Sequence, residues 1–537
     1  MSPSRRVLPH ALMLLTLAAS LFAAPASAQF YDPTLHAAGL DDTFADSPRL
    51  LGMGGLGLAV ADRDRQISLW DMAGNPLGVA WDDTTSTLKI SPRTGAVSGK
   101  HDLTGTRIRQ YVAGRSVSLP YEVFHRDDKG RAFGIVGQMR SVRTDSPWSD
   151  DVEARRSVGE PDVTAIANGP FKYLLKDKLR YAIRLRFASQ HLRDEYRLFV
   201  DNPTGEYLSQ DGMVLPSPNY FVPDEYRIST RSLGGGLSYP LGKNHTLALM
   251  ADAQHQKLHG LNEGGRYSAE TTEERPTKSG QASLFGRLGK NIEYGIDGRG
   301  YDSNSPQDWR FSLSAGVGAI PMVGRGRLLE REDKGSSLDS RVRWTSGKVA
   351  LTGQLWTAAS KTQIKAPHPN DLSSFNNFLS SIWYRVGVDT LFLPDSVRSD
   401  EYRRYAWGYG AGMSYKFHRG IAGAEWNWAR DLSEDDLLGE GPKSIAYSVR
   451  AGVEYECTPI VTGRLGYAVR WDDADDLTQA NEMVGQSFSM GLALKPAKTS
   501  WTFEAGYAFG FLGSDYDDPL NHRQTQQQMV SRLRWDF

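Results

Sequence analysis

Apolar and polar residues alternate with a period of two in segment after segment of this chain. Tyr181, Ile183, Leu185 and Phe187 alternate with Ala182, Arg184, Arg186 and Ala188. Val449, Ala451, Val453 and Tyr455 alternate with Ser448, Arg450, Gly452 and Glu454; Leu465, Tyr467, Val469 and Trp471 alternate with Arg464, Gly466, Ala468 and Arg470. Trp501, Phe503, Ala505, Tyr507, Phe509 and Phe511 alternate with Thr502, Glu504, Gly506, Ala508 and Gly510. Successive Cβ atoms of a strand point to opposite faces, so each segment predicts a strand. A half-buried soluble sheet has the same period. An aromatic-rich apolar face backed by Arg, Glu and Gly instead suits lipid on one side and a wet lumen on the other.

The connections alternate as well. Short turns fall near residues 242–244, 289–290, 346–348, 418–420, 457–459 and 496–498, and longer polar stretches at 259–278, 431–443, 472–484 and 512–524. Membrane barrels carry short turns on the periplasmic side and long loops outside. Counting back from Phe537, every short turn lands on the periplasmic side. The segment count is about 18 to 20, with 14 to 20 accommodated and an even number favoured. The expected fold is therefore all-β, a transmembrane antiparallel β-barrel over residues 84–537.

The two ends fit export and insertion. Arg5 and Arg6, an apolar stretch from Ala11 to Ala24 and Ala26-Ser27-Ala28 read as a secretory signal peptide over residues 1–28, cleaved before Gln29. At the other end Met529, Ser531, Leu533, Trp535 and Phe537 share one face. A closing Phe after such alternation resembles the signal by which barrel-assembly machinery recognises outer-membrane proteins. Elsewhere no apolar run reaches the roughly 18 residues of a membrane helix. Mean hydropathy is −0.45, because the alternating faces of barrel strands cancel in the average. The 54 Gly, 23 Tyr, 20 Phe and 13 Trp suit strands, turns and aromatic girdles, and the single Cys excludes an internal disulfide. A net charge of −1 points to no nucleic-acid partner.

Near the amino terminus the chain reads Leu51-Gly52-Met53-Gly54-Gly55, then Ala61-Asp62, then Trp70-Asp71-Met72-Ala73-Gly74-Asn75-Pro76. This resembles the start of the FadL-type long-chain fatty-acid transporters and their PorV-type relatives. Those carry a similar glycine stretch, an Ala-Asp, and an aromatic residue before Asn-Pro-Ala-Gly. Here Asp71 and Met72 stand where Asn and Pro are usual, and Asn75-Pro76 is displaced. The resemblance implies that residues 29–83 form a hatch inside the lumen, shaped by Gly52, Gly54, Gly55, Trp70, Asp71, Gly74, Asn75 and Pro76. It also implies a 14-stranded barrel.

Candidate chemistry lies in the outer loops and the lumen. In the loop at about 359–403, Leu372, Phe375, Phe378, Leu379, Ile382, Trp383 and Val386 recur at helical spacing. One apolar helix face outside the membrane would cover the mouth, meet a partner or collect an apolar ligand, with Phe375, Phe378, Leu379, Ile382 and Trp383 as first contacts. The predicted lumen holds Arg184, Arg186, Arg341, Arg343, Arg450, Glu454, Arg464, Arg470, Glu504, Arg532 and Arg534. These either pair across strands to stiffen the wall or line a path for polar or anionic solutes. Acidic outer residues such as Asp431, Glu434 and Asp435 read as solvated, so no metal is assigned. Nor is a cofactor or a catalytic residue: there is no nucleophile elbow, His-Glu-x-x-His or phosphate loop. Two functions stay open, passive transport of small hydrophobic or amphipathic molecules and a PorV-like role as a partner barrel in secretion. Either would sit among outer-membrane lipids and lipopolysaccharide.

Overall fold

The computed structural model describes residues 47–60, 86–103, 108–149, 152–171, 178–198, 206–208, 214–216, 221–264, 267–313, 322–365, 400–435, 439–476, 479–497, 499–514 and 522–537. Nineteen strand segments form one antiparallel sheet that closes on itself. The first two, Thr87–Ile90 and Arg93–Leu103, lie end to end in one position, so the barrel has eighteen strands. These two segments together are β1. The rest are β2 (Ile108–Arg126), β3 (Ala132–Ser149), β4 (Val152–Pro170), β5 (Arg180–Leu198), β6 (Phe221–Pro240), β7 (His245–Gly264), β8 (Tyr267–Leu288) and β9 (Ile292–Leu313). They continue as β10 (Met322–Ser346), β11 (Val349–Lys365), β12 (Asp400–Phe417), β13 (Gly420–Asp435), β14 (Gly439–Glu456), β15 (Val461–Asp476), β16 (Gln479–Leu494), β17 (Trp501–Ser514) and β18 (His522–Asp536).

Closure occurs where β1 joins both β2 and β18, with Leu88 opposite Val123 on one side and Trp535 on the other. The break in β1 falls at Ser91-Pro92, where proline has no N–H to give the ladder. The ladder is carried across it by Ser91 N donating to Pro120 O (2.8 Å) and Ser531 N donating to Pro92 O (3.0 Å). A closed barrel leaves no sheet edge to pair in lipid, the condition any spanning β-structure must meet.

The sequence alternation sorts onto the two faces as expected. Ile183, Leu185, Phe187, Val449, Leu465, Phe511, Met529, Leu533 and Trp535 point outward and are exposed, while Ala182, Ala508, Val530, Arg464, Glu504 and Arg532 point inward and are buried. On β12 the outward apolar side chains run from Tyr415 through Met413 and Tyr409 to Tyr405. The eleven residues from Tyr405 to Tyr415 span about 34 Å of strand and about 25 Å along the membrane normal, the height of a barrel's apolar band.

Strand length departs from expectation. β8 and β9 have 22 residues each and β10 has 25, against the roughly 10 a bilayer requires. Most of the stretches predicted as loops at 259–278, 431–443, 472–484 and 512–524 are therefore strand, continuing the wall past the apolar band. So are residues 359–365 and 400–403 of the predicted outer loop. Their outward faces carry charge pairs instead of apolar residues: Lys257 with Glu274 at 3.3 Å, Lys361 with Glu401 at 2.6 Å and Lys365 with Glu332 at 2.5 Å. The eighteen strands also exceed the fourteen implied by the resemblance.

Candidate functional site: a segment lodged in the lumen

Residues 47–60 lie inside the barrel against β12–β18. The segment opens with one helical turn, α1 (Pro48–Gly52), which packs on β15 to β18. Leu51 buries itself with Ala508 and Val530, and Met53, Leu56, Ala59 and Val60 with Ile421. After α1 the chain turns through Gly54 and Gly55 at φ 77° and 78°, a left-handed conformation that side chains with a Cβ avoid.

The wall beneath is glycine where the segment crosses it. A Cβ at Gly466 would stand 2.0 Å from Gly54 N, one at Gly452 2.3 Å from Met53 O, one at Gly412 2.6 Å from Ala59 N, and one at Gly506 2.6 Å from Pro48 O. Backbone meets backbone here, which is why these four lumenal positions carry no side chain.

Charge fixes the segment in place. Arg49 donates from Nε and Nη2 to the two oxygens of Glu454, each at 2.8 Å. Glu454 also accepts from Arg464 Nε at 2.8 Å, and Arg464 Nη2 donates to Glu504 at 2.8 Å. Arg532 stands 3.9 Å from the other Glu504 oxygen. The result is a line of alternating charge across β14, β15, β17 and β18. Further along, Glu425 is 3% exposed. Its Oε2 accepts from the backbone N–H of Leu58 (2.7 Å) and Ala59 (3.2 Å). Its Oε1 accepts from Arg450 Nη1 at 3.2 Å, and the same nitrogen donates to Gly55 O at 2.8 Å. Gly54 N donates to Ser489 Oγ at 2.9 Å. The Asn427 amide also donates to Oε1, at 3.5 Å, so removing this carboxylate would take one acceptor from four donors.

Of the residues singled out in the sequence, the structure gathers Gly52, Gly54, Gly55, Arg450, Glu454, Arg464 and Arg532 at this place. Others sit elsewhere on the lumenal face. Arg184 pairs with Asp252 at 2.5 Å and Arg186 with Asp162 at 2.7 Å, and Arg534 pairs with Asp536 at 2.7 Å near the end of β18. Arg470 is exposed on the lumenal face of β15. Trp70, Asp71, Gly74, Asn75, Pro76, Phe375, Phe378, Leu379, Ile382 and Trp383 lie outside the described residues. Two clamp residues escaped the sequence reading. Arg49 stands two residues before the glycine motif, and Glu425 is an acid on the lumenal face of a strand that alternates Ala422, Ala424, Trp426 and Trp428 outward. The same period-two count, applied to β13, would have found it.

Higher in the lumen, β7 to β12 enclose a polar recess of about 690 Å³ lined by Gln254, Arg275, Tyr301, Arg331, Asp333 and Arg404. Asp333 accepts from Arg331 Nε at 3.0 Å and from Thr362 Oγ1 at 2.5 Å, with Arg275 at 3.5 Å. Arg404 is held by Asp431, one of the acidic residues read as solvated.

No family model matches the chain, and no curated protein matches it in sequence. Among solved structures it is similar to the toluene transporter TodX of Pseudomonas putida, at 11% identity over 92% of this chain and 99% of that one, with a TM-score of 0.36. It is similar to the toluene transporter TbuX of Ralstonia pickettii at 10% identity over 92% and 99%, TM-score 0.35. A third similar structure is the ferric yersiniabactin uptake receptor FyuA of Yersinia pestis, at 9% identity over 85% and 81%, TM-score 0.43.

Proposed function

We propose that this protein is a gated outer-membrane channel that passes small hydrophobic or amphipathic molecules inward without an energy source, in the manner of FadL-type barrels. One observation carries the reading: a piece of chain from before the first strand is bedded in the lumen by glycines and held by a few ion pairs. A wall needs no such segment. A movable stopper does, and its fastenings at Glu425 and Glu454 are where it would be released. The charged lumen beyond it and the polar recess around Asp333 favour solutes with a polar group over wholly apolar ones. The barrel-assembly machinery would insert the chain, after removal of a signal peptide, among lipopolysaccharide and phospholipid.

The test compares the full-length protein with a Glu425→Gln/Glu454→Gln variant in planar bilayers and in cells. The variant is expected to show larger or more frequent conductance steps and faster entry of a panel of small aromatic acids and alcohols. Unchanged conductance and uptake in the variant would overturn the reading. A stoichiometric protein partner recovered from gently solubilised membranes, with no uptake by the wild type, would replace it with a PorV-like role.

A further inference from the structure

The outward face of β5 to β8 bears an apolar recess of about 830 Å³ within the membrane band. Its floor is made of small residues, Gly235, Ala251 and Gly280, and its sides of Ile183, Leu237 and Leu249. The register places Gly235 opposite Ala251 and Ala251 opposite Gly280, so the floor crosses three adjacent strands at one level. A Cβ at Gly235 or Gly280 would meet nothing within 4 Å. The recess is thus open towards the bilayer and not filled by the protein.

Directly towards the outer surface stand three exposed basic side chains: Arg231 on β6, His255 on β7 and Lys278 on β8. Arg231 is paired in register with His255, and Lys278 sits beside Ala253, two positions from His255 on the neighbouring strand. Each lies two or four residues beyond the floor of the recess on its own strand, on the side of the outer surface. Among the described residues none of the three makes an ion pair. The contrast with the next basic positions outward is direct. Lys257 has Glu274 at 3.3 Å, Arg227 has Glu225 at 3.2 Å and His259 has Glu270 at 2.7 Å. Lys278 alone of the three faces an acid in register, Asp302 on β9, and that carboxylate stands 3.9 Å from Lys334, so the boundary of the apolar band keeps an excess of basic side chains.

We infer that this face binds one phosphate-bearing, acylated lipid of the outer leaflet, its phosphate on Arg231, His255 and Lys278 and an acyl chain in the recess over Gly235, Ala251 and Gly280. Two features support this occupant. The excess of basic side chains lies where the phosphates of an outer-leaflet lipid stand, and the apolar hollow lies below it, where the chains of that same molecule hang. Basic side chains at a membrane surface attract anionic headgroups one by one, and a flexible chain fills an apolar hollow that no protein group occupies. The inference does not depend on the proposed channel.

Native mass spectrometry of the full-length protein in detergent tests it, with bisphosphorylated lipid A, its dephosphorylated form and phosphatidylglycerol as probes. One bisphosphorylated lipid A should be retained per barrel, with the other two bound about tenfold more weakly or worse. Arg231→Gln/His255→Gln/Lys278→Gln should lose at least tenfold for that lipid. Gly280→Leu, whose Cβ would meet nothing within 4 Å, puts a side chain into the hollow and should weaken it with all three basic residues intact. Heat-modifiable gel mobility shows that each variant is a folded barrel. Equal retention by the triple variant, indifference to the phosphates, no effect of Gly280→Leu, or equal binding of phosphatidylglycerol would each overturn the inference.

Discussion

Glu425 concentrates more of the lumenal fastening than any neighbour, since one buried carboxylate meets Leu58, Ala59 and Arg450 together. Removing one partner of a buried charge pair costs about 3–5 kcal/mol, because the other is left without compensation. Glu425→Gln keeps the size and removes the charge. Hydrogen exchange should then show the Leu58 and Ala59 amides losing at least a hundredfold of protection, with the amides of β13 unchanged. Glu401 makes a different residue-scale case. Hydrogen bonds from Lys361, then Arg403, hold its carboxyl below the usual carboxylate range. A carboxylate depressed in the folded state stabilises at pH values above its ordinary pKa. That contribution is lost as the pH falls through the depressed value. A carbon-13 titration of the Glu401 carboxyl should find its midpoint below 4.5, its ordinary value, and Lys361→Met should raise it. An unmoved midpoint would mean the pair at 2.6 Å does not persist in solution.

Among the elements, β14 and β15 carry the crossing with the lumenal segment, and their glycines make the prediction. Gly466→Val should leave the strand at least as well formed, since valine suits a pleated surface better than glycine. Its side chain would occupy the place of Gly54 N, 2.0 Å from the new Cβ. The barrel should therefore fold while residues 47–60 detach. Limited trypsin digestion of the intact barrel should cut after Arg49 in the variant and spare it in the wild type. Cleavage at equal rates in both would show that the segment does not depend on this bed. The outer halves of β7 to β11 follow a different logic. They are held by cross-strand ladders and by charge pairs exposed to water, each worth little singly, so the continuation of the wall there is the work of backbone pairing.

For the molecule as a whole, the decisive physical fact is the inversion of surfaces: apolar outside at membrane depth, charged within. Val449 is 43% exposed on the outward face. Val449→Arg should cost about 2–4 kcal/mol if the position lies near the bilayer midplane. Reversible urea titration of the protein folded into phospholipid vesicles measures this. Arg470→Gln, on the lumenal face of β15, should change the same titration by far less. Equal effects from the two substitutions would contradict the assignment of faces.

The sequence by itself determined the strands of the membrane band, the side of each short turn and a strand count, about 18 to 20, that includes the observed eighteen. The reason is local: lipid on one face and water on the other write a period of two into every strand that crosses. The same reason explains what was misread. Beyond the band both faces are wet, the contrast vanishes, and residues such as those at 259–278 look like loops although they are paired strand. The glycine motif marked Gly52, Gly54 and Gly55 as special, and it could not say what they touch. Only the tertiary structure decided that Arg49 meets Glu454 and that Gly55 meets Arg450, partners 405 and 395 residues apart. Closure of the barrel brings them together, and no local pattern encodes a distance around a cylinder.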